Sequence, residues 1–362
     1  MATYTVQVIL ASDQPGPNIC ALIDESIRPD EVVIATQGIT KDKNYTLWMQ
    51  EACKSVGLSC SVVELPNIWE IEKLRNTFAE LINKRLSKNH SLILNSTGGE
   101  NSVSIIANDI FTRHKLPVFY VHDDWVRWLN KPNDETDFNL RDKIKIPTYF
   151  LANGLYVKKF ERSDIPSERR KIAHSWHKNS SKNAFALGKL NFYCSQAQND
   201  LRCKIKEEEL KGYSLFNQQI DQILDAGLAT LEKGWLTFTD ESARFFVNGG
   251  WLEEHVFSEL SSLREEIPEL QDVARSVEFR WLESSKQTPV INELDVVALY
   301  DNRLIVIECK TGKMLDGAAT PLIYKFGSLV KNLGGKQTTG LITSFHEIAE
   351  HLEERAKLFD VQ

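Results

Sequence analysis

The stretch from Asn292 to Lys310 (NELDVVALYDNRLIVIECK) constrains this chain more than any other. Asp301-Asn302 is a turn pair, and the apolar, mostly β-branched runs on either side of it predict two strands of a hairpin. Asp295 lies near the start of the first strand, and Glu308 and Lys310 close the second. In a hairpin centred on the turn, Asp295 and Glu308 fall nearly opposite each other. Glu308 and Lys310 are two apart and share a face. Two acids and one ammonium therefore converge at one end of an apolar pair of strands.

Such a set suits phosphodiester hydrolysis. Two hard oxygen ligands hold Mg2+ or Mn2+. The ion activates a water and shields phosphate charge, and a neighbouring Lys stabilises developing negative charge. The other reading is a cross-strand ion pair at a sheet edge. The pattern Asp295…Glu308-Cys309-Lys310 resembles the PD-(D/E)xK nuclease core, with Leu294 where Pro is usual. That resemblance implies metal binding by Asp295, Glu308 and the Cys309 backbone carbonyl, with Lys310 positioning the attacking water. It also points to Glu254, on the helix opened by Gly249-Gly250-Trp251, as a supporting catalytic acid, with Glu253 facing solvent.

The 362 residues suggest two or three domains, and 42% hydrophobic with 26% charged residues predicts ordered cores. No apolar run reaches the roughly 18 residues of a membrane span. The N-terminus lacks the basic start of a signal peptide. The six cysteines are scattered, contain no Cys-x-x-Cys pair, and read as reduced thiols. A cytoplasmic protein is expected. The net charge of −7 excludes nucleic-acid binding over the whole surface, so any such contact is local. Residues 157–204 carry eleven Lys or Arg against four acids: a local basic face, or a solvated helical one.

From Thr3 to about Trp128, apolar runs (Tyr4–Leu10, Glu31–Ala35, Cys60–Glu64, Leu92–Asn95, Val118–Val121) alternate with segments of helical period, such as Ile71, Leu74, Phe78, Leu81 and Ile82. This predicts a doubly wound parallel sheet, whose ligands bind at the strands' carboxyl ends. Those ends carry three polar loops: Ser12, Asp13 and Gln14; Thr36 and Gln37; and Ser96, Thr97, Gly98, Gly99 and Asn101. The last is a Gly-rich strand-to-helix turn suited to phosphate, although such residues also serve ordinary turns and caps. No dinucleotide fingerprint or P-loop is present.

The Asn95–Gly99 turn and the Ser12-Asp13 loop resemble those of the CARF domain, the Rossmann-like sensor of CRISPR-associated proteins. The resemblance implies a homodimer holding one cyclic oligoadenylate, with cyclic tetra-adenylate the expected activator. The fold expected is therefore α/β: a Rossmann-like CARF domain (1–145), a helical, winged-helix-like middle (146–240) and a restriction-endonuclease-like PD-(D/E)xK domain (241–362). The function expected is a metal-dependent endonuclease of type III CRISPR defence acting on RNA or DNA. A ligand-responsive transcription regulator with a degenerate nuclease core is the alternative, and the acidic helix around Asp221 and Asp225 speaks against it.

Further expectations concern single segments. Lys145–Leu151 and Leu155–Phe160 read as a hairpin around Asn153-Gly154. His174 and His177 read as surface histidines, and Lys336 and Gln337 as a turn near phosphate. His346 and His351, five apart, do not form a His-Glu-x-x-His zinc pair.

Overall fold

The computed structural model describes residues 4–13, 15–37, 44–122, 124–131, 135–211, 214–282, 290–334 and 338–362. Gln14, Lys336 and Gln337 lie outside them. The chain divides into two compact units: 1–158 with 278–292 and 299–302, and 159–277 with 293–298 and 303–362.

The first unit is built on a seven-stranded sheet. Its elements are β1 (Val6–Leu10), α1 (Gly16–Ile23), β2 (Glu31–Thr36), α2 (Tyr45–Ser55), β3 (Ser59–Glu64), α3 (Ile71–Leu86), β4 (Leu92–Asn95), α4 (Asn101–Arg113), β5 (Val118–His122), β6 (Trp125–Asn130) and β7 (Phe138–Asn139), then α5 (Ile146–Ala152). The strand order is β3-β2-β1-β4-β5-β6-β7. The first five strands run parallel, and β6 and β7 are antiparallel additions. All five residues of β1 are buried, as a central strand covered on both faces requires. Leu74, Phe78, Leu81 and Ile82, at helical spacing on α3, pack with α4 over Val6, Val8 and Leu10. Because β1 pairs with β2 on one side and β4 on the other, the direction of strand order reverses between β1 and β4. A crevice at such a reversal is where sheets of this kind hold ligands.

The expected strand over 145–151 is instead helix α5. Pro147 occupies its first turn, where the missing N–H costs nothing. Gly154, at φ +78°, follows its C-cap Asn153, and a Cβ there would lie 2.3 Å from the Trp48 ring. Asn-Gly thus ends a helix here and does not turn a hairpin. Within the same unit, Asp301 and Asn302 have φ of +50° and +58°, the positive pair of a tight two-residue turn. Asn302 donates to Asp124 Oδ1 (2.7 Å), and Lys143 Nζ lies 2.5 Å from Asp124 Oδ2 and 3.5 Å from Asp301.

The second unit continues from β8 (Leu155–Glu161) through α6 (Ser167–Lys178), α7 (Ser180–Gln196), β9 (Arg202–Lys204), α8 (Leu215–Asp225), β10 (Ala229–Glu232) and β11 (Trp235–Phe238). It goes on with α9 (Glu241–Phe245), α10 (Trp251–Glu266), β12 (Leu270–Trp281), β13 (Asn292–Tyr300), β14 (Arg303–Lys310), α11 (Asp316–Gly334), β15 (Thr338–Ser344) and α12 (Glu350–Lys357). The small sheet β10-β11-β9 is antiparallel and belongs, with α7 and α8, to the helical, wing-like middle. Trp176 anchors the core: its ring stacks 5.9 Å from Phe246 and meets Trp251 edge-on at 5.7 Å, while its indole N–H donates to Gln222 (2.7 Å). The five-stranded sheet has the order β15-β14-β13-β12-β8, with β14 and β15 parallel and Lys310 opposite Ser344. No helix among the described residues is long and apolar enough to cross a membrane. All six cysteines are free.

Arg85 grips Glu31 with two 2.7 Å hydrogen bonds, and both side chains are largely shielded from water. The Arg85 hydrogen bonds outweigh burial and hold the Glu31 carboxyl below its usual 4.5. A depressed folded-state pKa contributes stability above the unfolded value, and that stability is lost as pH falls through the folded value. Arg85→Met is therefore expected to lower unfolding free energy at pH 7 by about 1–3 kcal/mol. In urea titrations the gap between variant and parent should close as pH drops below about 4.5; a gap unchanged at pH 3 contradicts this.

Candidate functional site

In the second unit, β13 and β14 are sheet neighbours, and their polar ends meet as their spacing predicts. Asp295 Oδ2 accepts a 2.7 Å hydrogen bond from the Cys309 N–H, so this carboxylate is fixed against the backbone of the facing strand. Glu308 Oε1 lies 2.6 Å from Lys310 Nζ. Burial, then the charge of Glu308, pushes the Asp295 carboxyl up to about 6, although the Cys309 N–H pulls the other way. Burial alone would lower the Lys310 pKa, but the Glu308 hydrogen bond and the charges of Glu308, Asp295 and Glu253 raise it and keep the ammonium charged. Burial pushes the Cys309 thiol up, which leaves it a poor nucleophile.

The two adjacent acids of α10 meet different neighbours. Glu254 is 4% exposed and paired with Arg169 at 3.0 Å; Arg169 and Arg275 partly offset a burial that raises its pKa. It is a buried structural ion pair on the α6 side of the helix. Glu253, expected to face solvent, is half-buried among the charges of the hairpin. Burial, Asp295 and Glu293 push its pKa up to about 8, with Lys310 opposing. Helix geometry carried the signal. At ~100° per residue, Glu253 stands about 60° from Val256 and Glu254 about 160°. Val256 and Leu260 line a cavity with Ile307 of β14.

The donor chemistry fits a hard divalent cation. Asp295, Glu308 and Glu253 stand against one ammonium, and burial, followed by the neighbouring carboxylates, raises the pKa values of Asp295 and Glu253. Among the described residues, no group of three His, Cys, Asp or Glu side chains is arranged to hold a metal by itself. Two carboxylates, a backbone carbonyl and waters is instead the set that Mg2+ accepts. His174 and His177 are not isolated, since their rings lie 6.3 and 4.6 Å from His255. His346 precedes α12, which starts at Glu350, so His346 and His351 do not share a helix.

In the first unit, the loops after β1 and β4 adjoin at the strand-order reversal. A Cβ on Gly98 would lie 2.2 Å from the Leu10 carbonyl oxygen and 3.2 Å from Ser12 Oγ. Gly99 adopts φ +80° against the Leu10 side chain. Thr97 Oγ1 donates to Asn95 Oδ1 (2.5 Å) and accepts from the Val121 N–H (2.9 Å), which ties the turn to β5. Ser96 is buried, and its hydroxyl bonds that of Ser104 at 2.8 Å. Thr36 is buried and accepts from Thr46 Oγ1 at 2.8 Å. These two hydroxyls shape the rim from within. Asp13, Gln37 and Asn101 are exposed on it, and Gln37 reaches the Pro66 carbonyl at 3.3 Å.

Residues 6–149 match the family described as the Card1 CARF domain, and residues 240–361 match the Card1-like endonuclease domain. The fold is similar to that of protein VC1899 from Vibrio cholerae (TM-score 0.87, 24% identity, 98% of this chain and 92% of that one). It is also similar to Can2 from Sulfobacillus thermosulfidooxidans, solved in complex with cyclic tetra-adenylate (TM-score 0.76, 24% identity, 98% and 94%). A type III CRISPR defence DNA nuclease activated by cyclic oligoadenylate shares the fold more distantly (TM-score 0.60, 15% identity, 95% and 46%). No curated protein sequence is a significant match to this chain.

The Gly98 contact yields a direct test. Gly98→Ala forces the β4 loop away from the Leu10 carbonyl and should destabilise the protein by about 1–3 kcal/mol, read as a lower melting temperature. An unchanged melting temperature contradicts the close approach of these two loops.

Proposed function

We propose a function for a chain that joins a Card1-type CARF domain to a Card1-like endonuclease domain: a nuclease of type III CRISPR defence, switched on by a cyclic oligoadenylate. The observation that carries this reading is the Asp295–Glu308–Lys310 cluster, in one polypeptide with the glycine-walled crevice between β1 and β4. Cyclic tetra-adenylate is the activator favoured, because Can2, of the same fold, is solved with it. A homodimer holding one ligand ring between two CARF domains is part of the same proposal. The domain division proposed is 1–145, 146–240 and 241–362; the family matches, ending at 149 and starting at 240, support it.

Cleavage is assigned to the hairpin as a PD-(D/E)xK site that uses Mn2+ or Mg2+. When bound, the ion supplies an activated water and screens the scissile phosphate. Asp295 and Glu308 offer carboxylate oxygens to it, with the Cys309 carbonyl between them in sequence. The Cys309 N–H holds Asp295 in one orientation, so the ligand needs no reorganisation. Lys310, kept charged by its acidic neighbours, donates towards the attacking water and the developing negative charge on phosphate. Glu253, whose carboxyl burial pushes up to about 8, holds a proton near neutral pH and is assigned to exchange it with the reacting groups. In the CARF domain, the exposed rim residues Asp13, Gln37 and Asn101, with Ser12 and the backbone of Thr97–Gly99, would meet the ligand's polar edge. Strands β13 and β14 run unbroken from Asp301-Asn302 to Asp295 and Glu308.

The roles are separable by substitution. Glu308→Ala and Lys310→Ala should each lower ligand-stimulated, Mn2+-dependent cleavage of a labelled oligonucleotide by at least about a hundredfold with melting unchanged. Glu253→Gln should lower kcat while leaving stability intact. Glu254→Ala should instead lose about 3–5 kcal/mol of stability, because Arg169 is left buried and unpaired. Cleavage that survives both Glu308→Ala and Lys310→Ala removes the hairpin from the mechanism.

A further inference from the structure

Two tight turns of the first unit meet tip to tip. One joins β5 to β6 and carries Asp124 at φ +60°; the other joins β13 to β14 and carries Asp301 and Asn302 at φ +50° and +58°. Left-handed backbone is unfavourable for residues other than glycine, and Asp and Asn accept it because their short polar side chains find hydrogen bonds nearby. Here those side chains bond across the two turns. The Asn302 side-chain amide donates to Asp124 Oδ1 (2.7 Å), and Lys143 Nζ stands 2.5 Å from Asp124 Oδ2 and 3.5 Å from Asp301 Oδ1. Asn302 is buried, and the side chains of Asp124 and Lys143 are only 11% and 19% exposed. Burial opposes the charge on Asp124, but hydrogen bonds with Asp301, Lys143 and Asn302 outweigh it and hold the carboxyl below its usual value.

A carboxylate and an ammonium this buried are a poor source of stability, because desolvation offsets most of their attraction. Apolar side chains would serve a purely structural joint as well. What the position offers is connection. On one side, Asp124 lies three residues past Val121, whose N–H donates to Thr97 Oγ1 (2.9 Å), and the Ser96 N–H donates to the Phe119 carbonyl (2.9 Å). The β4 turn at the crevice is thus tied to β5 twice before the chain reaches Asp124. On the other side, residues 299–302 belong to the first unit, whereas 293–298 and 303–310 of the same two strands belong to the second. From Asp301 back to Asp295 is a run of strand roughly 20 Å long. Val296, Val297, Ala298 and Leu299 along it have no exposed surface, and side chains packed this closely transmit a displacement with little bending. We propose that Asp124, Lys143 and Asn302 are positioning residues for cleavage: they latch the hairpin tip to the β5–β6 turn, so that the ligand-bound and ligand-free crevice hold Asp295, Glu308 and Lys310 in different arrangements. The inference rests on the ligand-switched nuclease reading and names the residues through which the switch acts.

The test is the ratio of cleavage rates of a labelled oligonucleotide in Mn2+ with and without saturating cyclic tetra-adenylate, measured on the full chain. The unsubstituted chain should give a ratio of roughly ten or more. Asn302→Asp sets a second carboxylate against Asp124 and should bring the ratio below about three, while calorimetric titration still shows ligand binding. Adding Asp124→Asn to it exchanges donor and acceptor between the two positions and should return the ratio to within about threefold of the parent. Asn302→Ala, which removes the donor without adding charge, should lower the ratio in the same direction and covers the case in which Asn302→Asp fails to fold. A joint that only stabilises the fold would lower the melting temperature of these variants and leave the ratio alone. A parental ratio in both single variants, or no recovery in the double variant, overturns the latch. If the parent responds to the ligand and the variants respond equally, the latch alone falls. If cleavage by the parent is unchanged by the ligand, the ligand-switched reading falls and the latch with it.

Discussion

Like charges held together in partial burial are the costliest feature of this protein, and the rest of the nuclease half is arranged around them. Burial and neighbouring carboxylates push Asp295 and Glu253 towards their protonated forms, and Lys310, paired with Glu308 at 2.6 Å, does not balance the set alone. The hairpin tolerates the set because β13 and β14 are otherwise apolar and well buried: Leu294, Val296, Val297, Ala298 and Leu299 on one strand, Leu304, Val306 and Ile307 on the other. The Cys309 N–H then fixes Asp295 so that it cannot relax away from its neighbours. A bound cation would relieve this crowding, which is the ground on which we propose a metal-dependent hydrolytic site here. Glu254, the next residue on α10, shows the contrast: its carboxylate meets the Arg169 guanidinium at 3.0 Å, one acid against one base.

The sensor half solves a different problem, the close approach of two backbones. β1 and β4 are neighbours, and their loops leave the sheet at the point where strand order reverses. Only glycine at 98 lets the β4 turn lie on the Leu10 carbonyl, and glycine at 99 accepts the left-handed φ that follows. The turn's polar side chains are largely engaged in its own construction, as with Thr97 on Asn95 and Ser96 on Ser104. The rim proposed for the ligand is lined by this backbone and by exposed Asp13, Gln37 and Asn101.

Much of this was legible in the sequence where period and chemistry agreed. The buried run of β1, the 3–4 spacing on α3 and the acid–acid–Lys hairpin each give one answer by two routes. It failed where one signal was read without the other. Asn153-Gly154 matched a hairpin turn, yet Pro147 seven residues before Gly154 already marked a helix from its first turn to its glycine cap. Glu254 was favoured from its spacing to Trp251 and Val256; the folded chain pairs it with Arg169 and sets Glu253 among the charges of Asp295 and Lys310. Thr36 and Ser96 carried the right chemistry, but whether a hydroxyl faces a ligand or its own loop is decided by burial, which a sequence does not print.

The central claim is that the crevice between β1 and β4 governs the chemistry at Asp295, Glu308 and Lys310. It is tested most directly by the rate at which one preparation of the protein cleaves a labelled single strand in Mn2+, with and without cyclic tetra-adenylate. The account predicts a rise of roughly ten- to a hundredfold on adding the ligand. Equal rates in its presence and absence contradict it.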